Sequence, residues 1–350
     1  MVVDDSVVIR RLVTHALEED PNLEVVGAAA NGNIALQKIP QLCPDVVTLD
    51  VEMPEMNGIE TLRCIRKLHP HLVAIMFSTL TERGAAVTLE ALSAGADDYV
   101  AKASNVGSLN QSMASLRGEL IPKIKQFFPV ETTNASRCSS HSPEPAHAVP
   151  FPRASAAGKM LCPRECLVIG VSTGGPTALA QILPLFPADF GLPVLVVQHM
   201  PPIFTQMLAE SLQTKCRLRV EEAADGSPVE PGRIWIAPGG SHLRIVRRGA
   251  SVLTALDMGP LENSCRPAVD VLFRSAAEVY GGGVIAAVLT GMGQDGLRGS
   301  ELLRSAGAYI LAQDEASSVV WGMPGFVAKA GLADAVVSLR DIVPEILMHC

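Results

Sequence analysis

Ser172 lies in Gly170-Val171-Ser172-Thr173-Gly174-Gly175-Pro176, where an apolar strand, Leu167 to Val171, runs into a glycine-rich turn and then a helix. Glycines at 170 and 174 permit the tight backbone that lifts a side chain out of a sheet, the logic of a G-x-S-x-G nucleophile elbow. Pro176 suits the first helical position, where no N–H is missed. N–H groups after Ser172 would point at bound negative charge, as an oxyanion hole requires. Alone the motif is weak, because short glycine-serine turns also bind phosphates or merely join elements.

A serine nucleophile needs a base, and the base needs an orienting carboxylate. His199 closes the strand Val194 to Gln198 at the same sheet edge as Ser172, in Val197-Gln198-His199-Met200-Pro201-Pro202. In a dinucleotide-binding domain that strand end would carry a ribose-binding acid, so Gln-His there argues against NAD. Asp295 follows the strand Val284 to Leu289 in Thr290-Gly291-Met292-Gly293-Gln294-Asp295-Gly296, a second glycine-rich turn on that edge. It can orient His199, or equally serve as N-cap of a helix from Leu297. The chain order Ser, His, Asp differs from the Ser, Asp, His of α/β-hydrolases, so the elbow is no evidence for that fold.

A different chemistry gathers near the N-terminus. Asp4 and Asp5 close a first strand and Asp50 a third. In an open sheet of order 2-1-3-4-5 those strands are neighbours at the switch point, so the three carboxylates converge. A divalent cation relieves their repulsion, and Mg2+ suits an all-oxygen site that keeps several waters. Ser78 and Lys102 end the fourth and fifth strands at the same edge, a set that suits a phosphoryl group on Asp50. Singly, such Asp residues also serve as turn formers or helix caps.

Positioning these groups requires two α/β units. Residues 1 to about 125 alternate short apolar strands with amphipathic helices, with strands at Val2-Val3, Leu23 to Ala28, Val46 to Leu49, Val73 to Phe77 and Tyr99-Val100. Ser6, Asn31 and Asn57 read as N-caps, and the whole as a doubly wound parallel sheet. Periodicity vanishes from residue 126 to about 160, where Pro, Ser, Thr and Ala form a flexible linker. From 161 to 350 a second, Rossmann-like, mostly parallel α/β domain is expected. A stretch from Asp225 to Asp257, with strands Arg233 to Ala237 and Leu243 to Val246, reads as an antiparallel insertion.

The 350 residues carry 48% apolar side chains, enough for two cores. Every apolar run is broken well before the roughly 18 residues of a membrane span, and Asp4-Asp5 comes too early for the apolar centre of a secretory signal. A cytoplasmic location without membrane insertion is therefore expected. Net charge is −8 with no basic cluster, which disfavours nucleic acid. Eight cysteines include no C-x-x-C pair and no zinc spacing, so reduced structural thiols are expected.

The first domain resembles a response-regulator receiver through Val2-Val3-Asp4-Asp5-Ser6, Leu49-Asp50-Val51-Glu52-Met53-Pro54 and Gly95-Ala96-Asp97-Asp98-Tyr99-Val100-Ala101-Lys102. The resemblance implies a flavodoxin-like fold with Asp50 as phosphoacceptor. Asp5, Asp50 and the Glu52 carbonyl would hold Mg2+, with Asp4 supporting through water; Ser78 and Tyr99 match the family's switch pair. Receivers usually have Pro after the lysine, where Ala103 stands here, which bears on how firmly Lys102 is held.

Residues 166 to about 348 resemble the catalytic domain of chemotaxis protein-glutamate methylesterases. Besides the turns around Ser172, His199 and Asp295, the matching segments are Ile236-Ala237-Pro238-Gly239-Gly240, Pro267-Ala268-Val269-Asp270-Val271-Leu272-Phe273 and Trp321-Gly322-Met323-Pro324-Gly325. By that resemblance Ser172 attacks a methyl-esterified glutamate on a chemoreceptor, His199 takes its proton, Asp295 holds the imidazole, and the N–H groups of Thr173 and Met292 bind the oxyanion. No cofactor is implied for the ester reaction, glutamine deamidation is implied beside it, and a sensor histidine kinase is the implied phosphodonor. A monomer is expected. A non-catalytic response regulator, an esterase for another substrate and a nucleotide-binding second domain stay open at this level.

Overall fold

The computed structural model describes residues 1–102, 109–128 and 163–350. Ala103 and nearly all of the expected linker lie outside these. The receiver unit runs β1 (Val2–Val3), α1 (Val7–Glu18), β2 (Ala28–Ala29), α2 (Gly32–Leu42), β3 (Val46–Asp50), α3 (Gly58–Leu68), β4 (Val73–Thr79), α4 (Glu82–Ser93), β5 (Asp98–Lys102) and α5 (Leu109–Lys125). Its strands form one parallel sheet in the expected order β2-β1-β3-β4-β5. Ser6, Asn31 and Asn57 cap their helices, the last in a reciprocal capping box with Glu60. The expected strand Leu23 to Ala28 shrinks to Ala28–Ala29, because β1 offers only Val2 and Val3 as ladder partners.

The second unit begins with β6 (Cys166–Val171), α6 (Gly175–Ile182), β7 (Val194–Gln198), α7 (Phe204–Gln213), β8 (Arg219–Glu222) and β9 (Arg233–Ile236). It continues with β10 (His242–Arg248), β11 (Ser251–Asp257), α8 (Val269–Tyr280), β12 (Val284–Val288), α9 (Leu297–Ala306), β13 (Tyr309–Gln313), α10 (Met323–Lys329), β14 (Ala335–Val337) and α11 (Ile342–Met348). Seven strands form a parallel sheet in the order β14-β13-β12-β6-β7-β9-β8. Among the described strands, antiparallel pairing joins β10 and β11; β9, expected inside that insertion, pairs in parallel with β7 and β8. Its side chains explain the difference: Ile234 and Ile236 are fully buried, and Trp235 nearly so, as a strand covered on both faces requires.

β6 sits between β12 and β7, with Val288 beside Gly170 and Val171 beside Gln198. Chain order reverses on the two sides of β6, so the crevice beyond its carboxyl end is a topological switch point, where open α/β sheets place their ligands. All strand ends there face one edge because all are parallel. The receiver docks on that edge: α4 packs against α6 and α7, and the Tyr99 ring stacks on Phe204 with centroids 5.1 Å apart and planes 9° apart.

Candidate active site and receiver centre

Ser172 follows β6 directly. Its N–H donates to Thr290 O at 3.0 Å, and its carbonyl accepts from Gly175 N at 2.8 Å and Gln198 Nε2 at 2.9 Å. Thr290 Oγ1 in turn donates to Thr173 O at 2.9 Å. The serine turn is thus held from β7 on one side and from the end of β12 on the other. Gly174 adopts φ +76°, a left-handed conformation that suits glycine. A Cβ on Gly291 would come within 2.7 Å of Ser172 Cβ, so only glycine lets the two turns approach this closely. Pro176 occupies the second position of α6 rather than the first, since Gly175 opens the helix after the Gly174 cap.

The N–H groups of Thr173 and Met292 donate to no other described group, and both residues line the cavity with Ser172. That leaves two amides free to face an oxyanion. Sequence reasoning treated Gln198 and Thr290 as parts of motifs and missed that they brace the serine turn.

His199 and Asp295 meet. His199 Nε2 lies 2.8 Å from Asp295 Oδ2, with Asp295 2% exposed. Asp295 also accepts N–H groups from Val269 at 2.6 Å, Asp270 at 3.0 Å and Gly296 at 3.0 Å, and the Asn263 amide at 2.9 Å. The carboxylate therefore caps the start of α8, not of α9, where Gly296 stands at the N-cap position. Burial works against a charged imidazole at His199. The hydrogen bonds of Asp295 and Cys265 outweigh it and raise the ring well above the ordinary histidine range. Burial also raises Asp295, yet His199 and the helix amides together hold it below the usual carboxylate range. The two shifts express one attraction, that of the Asp295 carboxylate for the imidazolium that forms when His199 takes a proton.

Ser172 Oγ makes no hydrogen bond to His199. The free ring nitrogen, Nδ1, instead lies 3.6 Å from Cys265 Sγ. Ser172, Thr173, His199, Cys265 and Met292 share a cavity of about 440 Å3, and its other wall is receiver: Asp98, Tyr99, Glu119, Pro122 and Lys123. Asp98, 4% exposed, accepts from Thr173 Oγ1 at 3.0 Å, Gln126 Nε2 at 3.3 Å and Lys123 Nζ at 3.1 Å. A receiver carboxylate thus holds the residue next to Ser172.

In the receiver, Asp4, Asp5 and Asp50 bring one oxygen each within 4.8 Å of one another. Lys102 Nζ lies 2.8 Å from Asp50 and 2.9 Å from Asp4. Burial pushes the Asp50 carboxyl up, Lys102 pulls it back and Asp4 adds to the rise, leaving it at about 6. Burial would depress Lys102, but the two carboxylates raise it above the ordinary lysine range. Asp4 Oδ2 is buried with Lys102 as its partner, so the lysine ammonium offsets the charge that a hard cation would take up at these oxygens. The Glu52 side chain points to Arg83 at 3.3 Å, which leaves its carbonyl as the group it could offer. Ser78 Oγ donates to Gly84 O at 3.0 Å, and Tyr99 lies buried under the second domain.

Comparison with known proteins matches both units of the fold. Residues 1–114 match the model of the response regulator receiver domain, and residues 167–346 match that of the CheB methylesterase. The chain is 49% identical over 347 residues to the protein-glutamate methylesterase/protein-glutamine glutaminase of Trichodesmium erythraeum, covering 99% of this chain and 97% of that protein. It is 51% identical over 352 residues to the protein of the same name from a Nocardioides species, covering 99% and 94%. The crystal structure of the Thermotoga maritima CheB methylesterase catalytic domain superposes with a TM-score of 0.53 at 41% identity, over 54% of this chain and all of that one. With a serine turn, a His–Asp pair and an acidic receiver centre in one chain, matched along almost its whole length, this protein belongs to the CheB methylesterase family.

Proposed function

We propose that the chain is a phosphorylation-gated serine esterase that hydrolyses glutamate γ-methyl esters on chemoreceptors and deamidates specific glutamines, with a receiver at 1–125, a linker at 126–160 and a catalytic domain at 161–350. The observation that carries this is the His199–Asp295 pair at 2.8 Å, set beside Ser172 on one sheet edge and covered by the receiver.

In the reaction, Ser172 Oγ adds to the ester carbonyl carbon while Nδ1 of His199 takes its proton. Asp295 stabilises the resulting imidazolium through Nε2, and the N–H groups of Thr173 and Met292 receive the oxyanion. Collapse of the tetrahedral adduct expels methanol, which leaves with the proton from His199. Water, deprotonated by the same imidazole, then cleaves the acyl-serine and restores Ser172 beside a free glutamate. With glutamine the leaving group is ammonia and the remaining steps are the same.

Gating follows from the docked receiver. Its α4, Asp98 and Tyr99 occupy the entrance to the site, so substrate enters only when the two units separate. Asp50 is the phosphoacceptor, and a sensor histidine kinase is the phosphodonor. Asp4, Asp5, Asp50 and the Glu52 carbonyl would hold Mg2+, which when bound offsets the charge at the acceptor. A phosphoryl group on Asp50 adds nearly two negative charges. It draws Ser78 from Gly84 and Lys102 from Asp4, and Tyr99 transmits the change by leaving Phe204. Moving a mostly closed population to mostly open takes about 3 to 5 kcal/mol of differential stabilisation.

The test is methanol release from methylated receptor membranes by wild type, Ser172→Ala and Asp50→Asn, with and without a small-molecule phosphodonor. Ser172→Ala should lower turnover by a factor on the order of 10^6, and Asp50→Asn should keep basal turnover but not respond to the donor. Retained hydrolysis by Ser172→Ala would refute the nucleophile. Turnover unchanged on deleting residues 1–157 would refute gating.

A further inference from the structure

The base has a second partner. With Nε2 given to Asp295, Nδ1 is the one nitrogen of His199 left to take the Ser172 proton, and it faces Cys265 Sγ at 3.6 Å instead. The cysteine is held there. Glu262 and Cys265 exchange both backbone hydrogen bonds, at 3.1 and 2.9 Å, and Asn263 and Ser264 close the turn between them with φ of 52° and 63°. Glu262 is tied to Arg274 by two 2.8 Å bonds. From the same turn Asn263 Nδ2 reaches both Asp270 and Asp295 at 2.9 Å. One clamped turn therefore delivers a thiol to one end of the imidazole and an amide to the carboxylate at the other. Cys265 is half-buried and lines the cavity that holds Ser172, whose hydroxyl has no hydrogen-bond partner among the described residues.

We propose that Cys265 is a positioning residue for the base: its sulfur holds Nδ1 of His199 in the resting enzyme, and Ser172 is deprotonated only when that contact is broken. The inference rests on the reading of Ser172 as nucleophile and His199 as base. The thiol is a second brake, inside the catalytic domain and separate from receiver cover. It also gives the Cys265 sulfur a base at hand, and hence makes it a site for thiol-directed electrophiles.

Two measurements on the full-length protein test this. The first is iodoacetamide labelling followed by peptide mapping. Sulfur displaces iodide to form a C–S bond, and the thiol proton passes to Nδ1 of His199. General-base assistance supplies about 100-fold or more, and half-burial takes back part of it. Cys265 should therefore label roughly tenfold faster than the exposed Cys43 and Cys350. His199→Asn should abolish that advantage, and Ser172→Ala should keep it. The second is ester turnover of the unphosphorylated enzyme. Cys265→Ala should raise kcat about threefold at unchanged KM, the worth of one weak hydrogen bond. Cys265→Ser, whose hydroxyl takes the same place, should stay near wild type.

Labelling of Cys265 at the same rate with and without His199 would overturn the proposal. So would a kcat of Cys265→Ala at or below that of the wild type. Absence of ester turnover in the wild type would instead sink the esterase reading, and the labelling result would show whether the thiol–imidazole contact stands.

Discussion

Thr173→Val isolates receiver closure from chemistry. The hydroxyl of Thr173 donates to Asp98 Oδ2 at 3.0 Å across the domain boundary, and the Asp98 carboxylate is almost fully buried. Valine fills the same volume, keeps the Thr173 N–H for the oxyanion and removes only the O–H donor. A hydrogen bond to a charged acceptor is worth about 1.5–3 kcal/mol, and Asp98 retains Lys123 and Gln126, which argues for the low end. In the open state the threonine hydroxyl turns to water, so the loss falls on the closed state alone. About 1.4 kcal/mol is a tenfold shift in the equilibrium. Basal methanol release from methylated receptor membranes should therefore rise about tenfold, while turnover of the phosphorylated enzyme stays as it was. The activation ratio contracts by the same factor. Equal losses in both phosphorylation states would place the hydroxyl in catalysis and refute the argument, and an unchanged basal rate would show that Asp98 does not hold the units together.

Three further perturbations test the catalytic domain. Asp295→Ala should abolish turnover and also lower stability by about 1–2 kcal/mol in denaturant titration, because it strips the start of α8 of its cap, whereas Ser172→Ala should leave stability near wild type. Arg274 holds the Glu262 carboxyl below the usual range, although both side chains are partly exposed. A depressed folded-state carboxyl stabilises above the unfolded value and loses that contribution as pH falls through the folded one. Glu262→Gln should therefore cost about 0.5–1 kcal/mol at pH 7 after solvent screening. The deficit should shrink below about pH 4, and a pH-independent deficit would contradict the ion pair. Ile203 stands at φ 73°, ψ −48° before α7, a strained setting for a β-branched residue. Ile203→Gly should raise the thermal midpoint by relieving about 1–3 kcal/mol of strain against roughly 1 kcal/mol of glycine entropy.

Sequence made the architecture legible where one element sufficed to reveal it. The N-caps Ser6, Asn31 and Asn57, the parallel order of the receiver and the placement of Ser172, His199 and Asp295 at strand ends all follow from local pattern and chain order. β9 was misplaced because its surroundings of glycine and proline resemble those of a hairpin; what decides its partner is the burial of Ile234 and Ile236 between layers, which no local window contains. The brace around Ser172 was hidden for the same reason, since Gln198 and Thr290 reach it from strands 26 and 117 positions away in their respective bonds.

The turn at 262–265 is the clearest case of chemistry that local sequence does not disclose. Glu262-Asn263-Ser264-Cys265 has no catalytic pattern, and a lone half-buried cysteine ordinarily signals packing. Its meaning comes from three partners met only in the fold: Arg274 one helical stretch later, Asp295 beyond the next strand, and His199 more than sixty residues earlier. Each contact alone would be structural. Together they fix both ends of one imidazole, and they do so while the receiver covers the mouth of the cavity. A base whose free nitrogen is already occupied, next to a serine without a partner, is the arrangement expected of an enzyme at rest. Opening the receiver admits the substrate, and the remaining step to an active centre is a short movement of His199 from sulfur to oxygen.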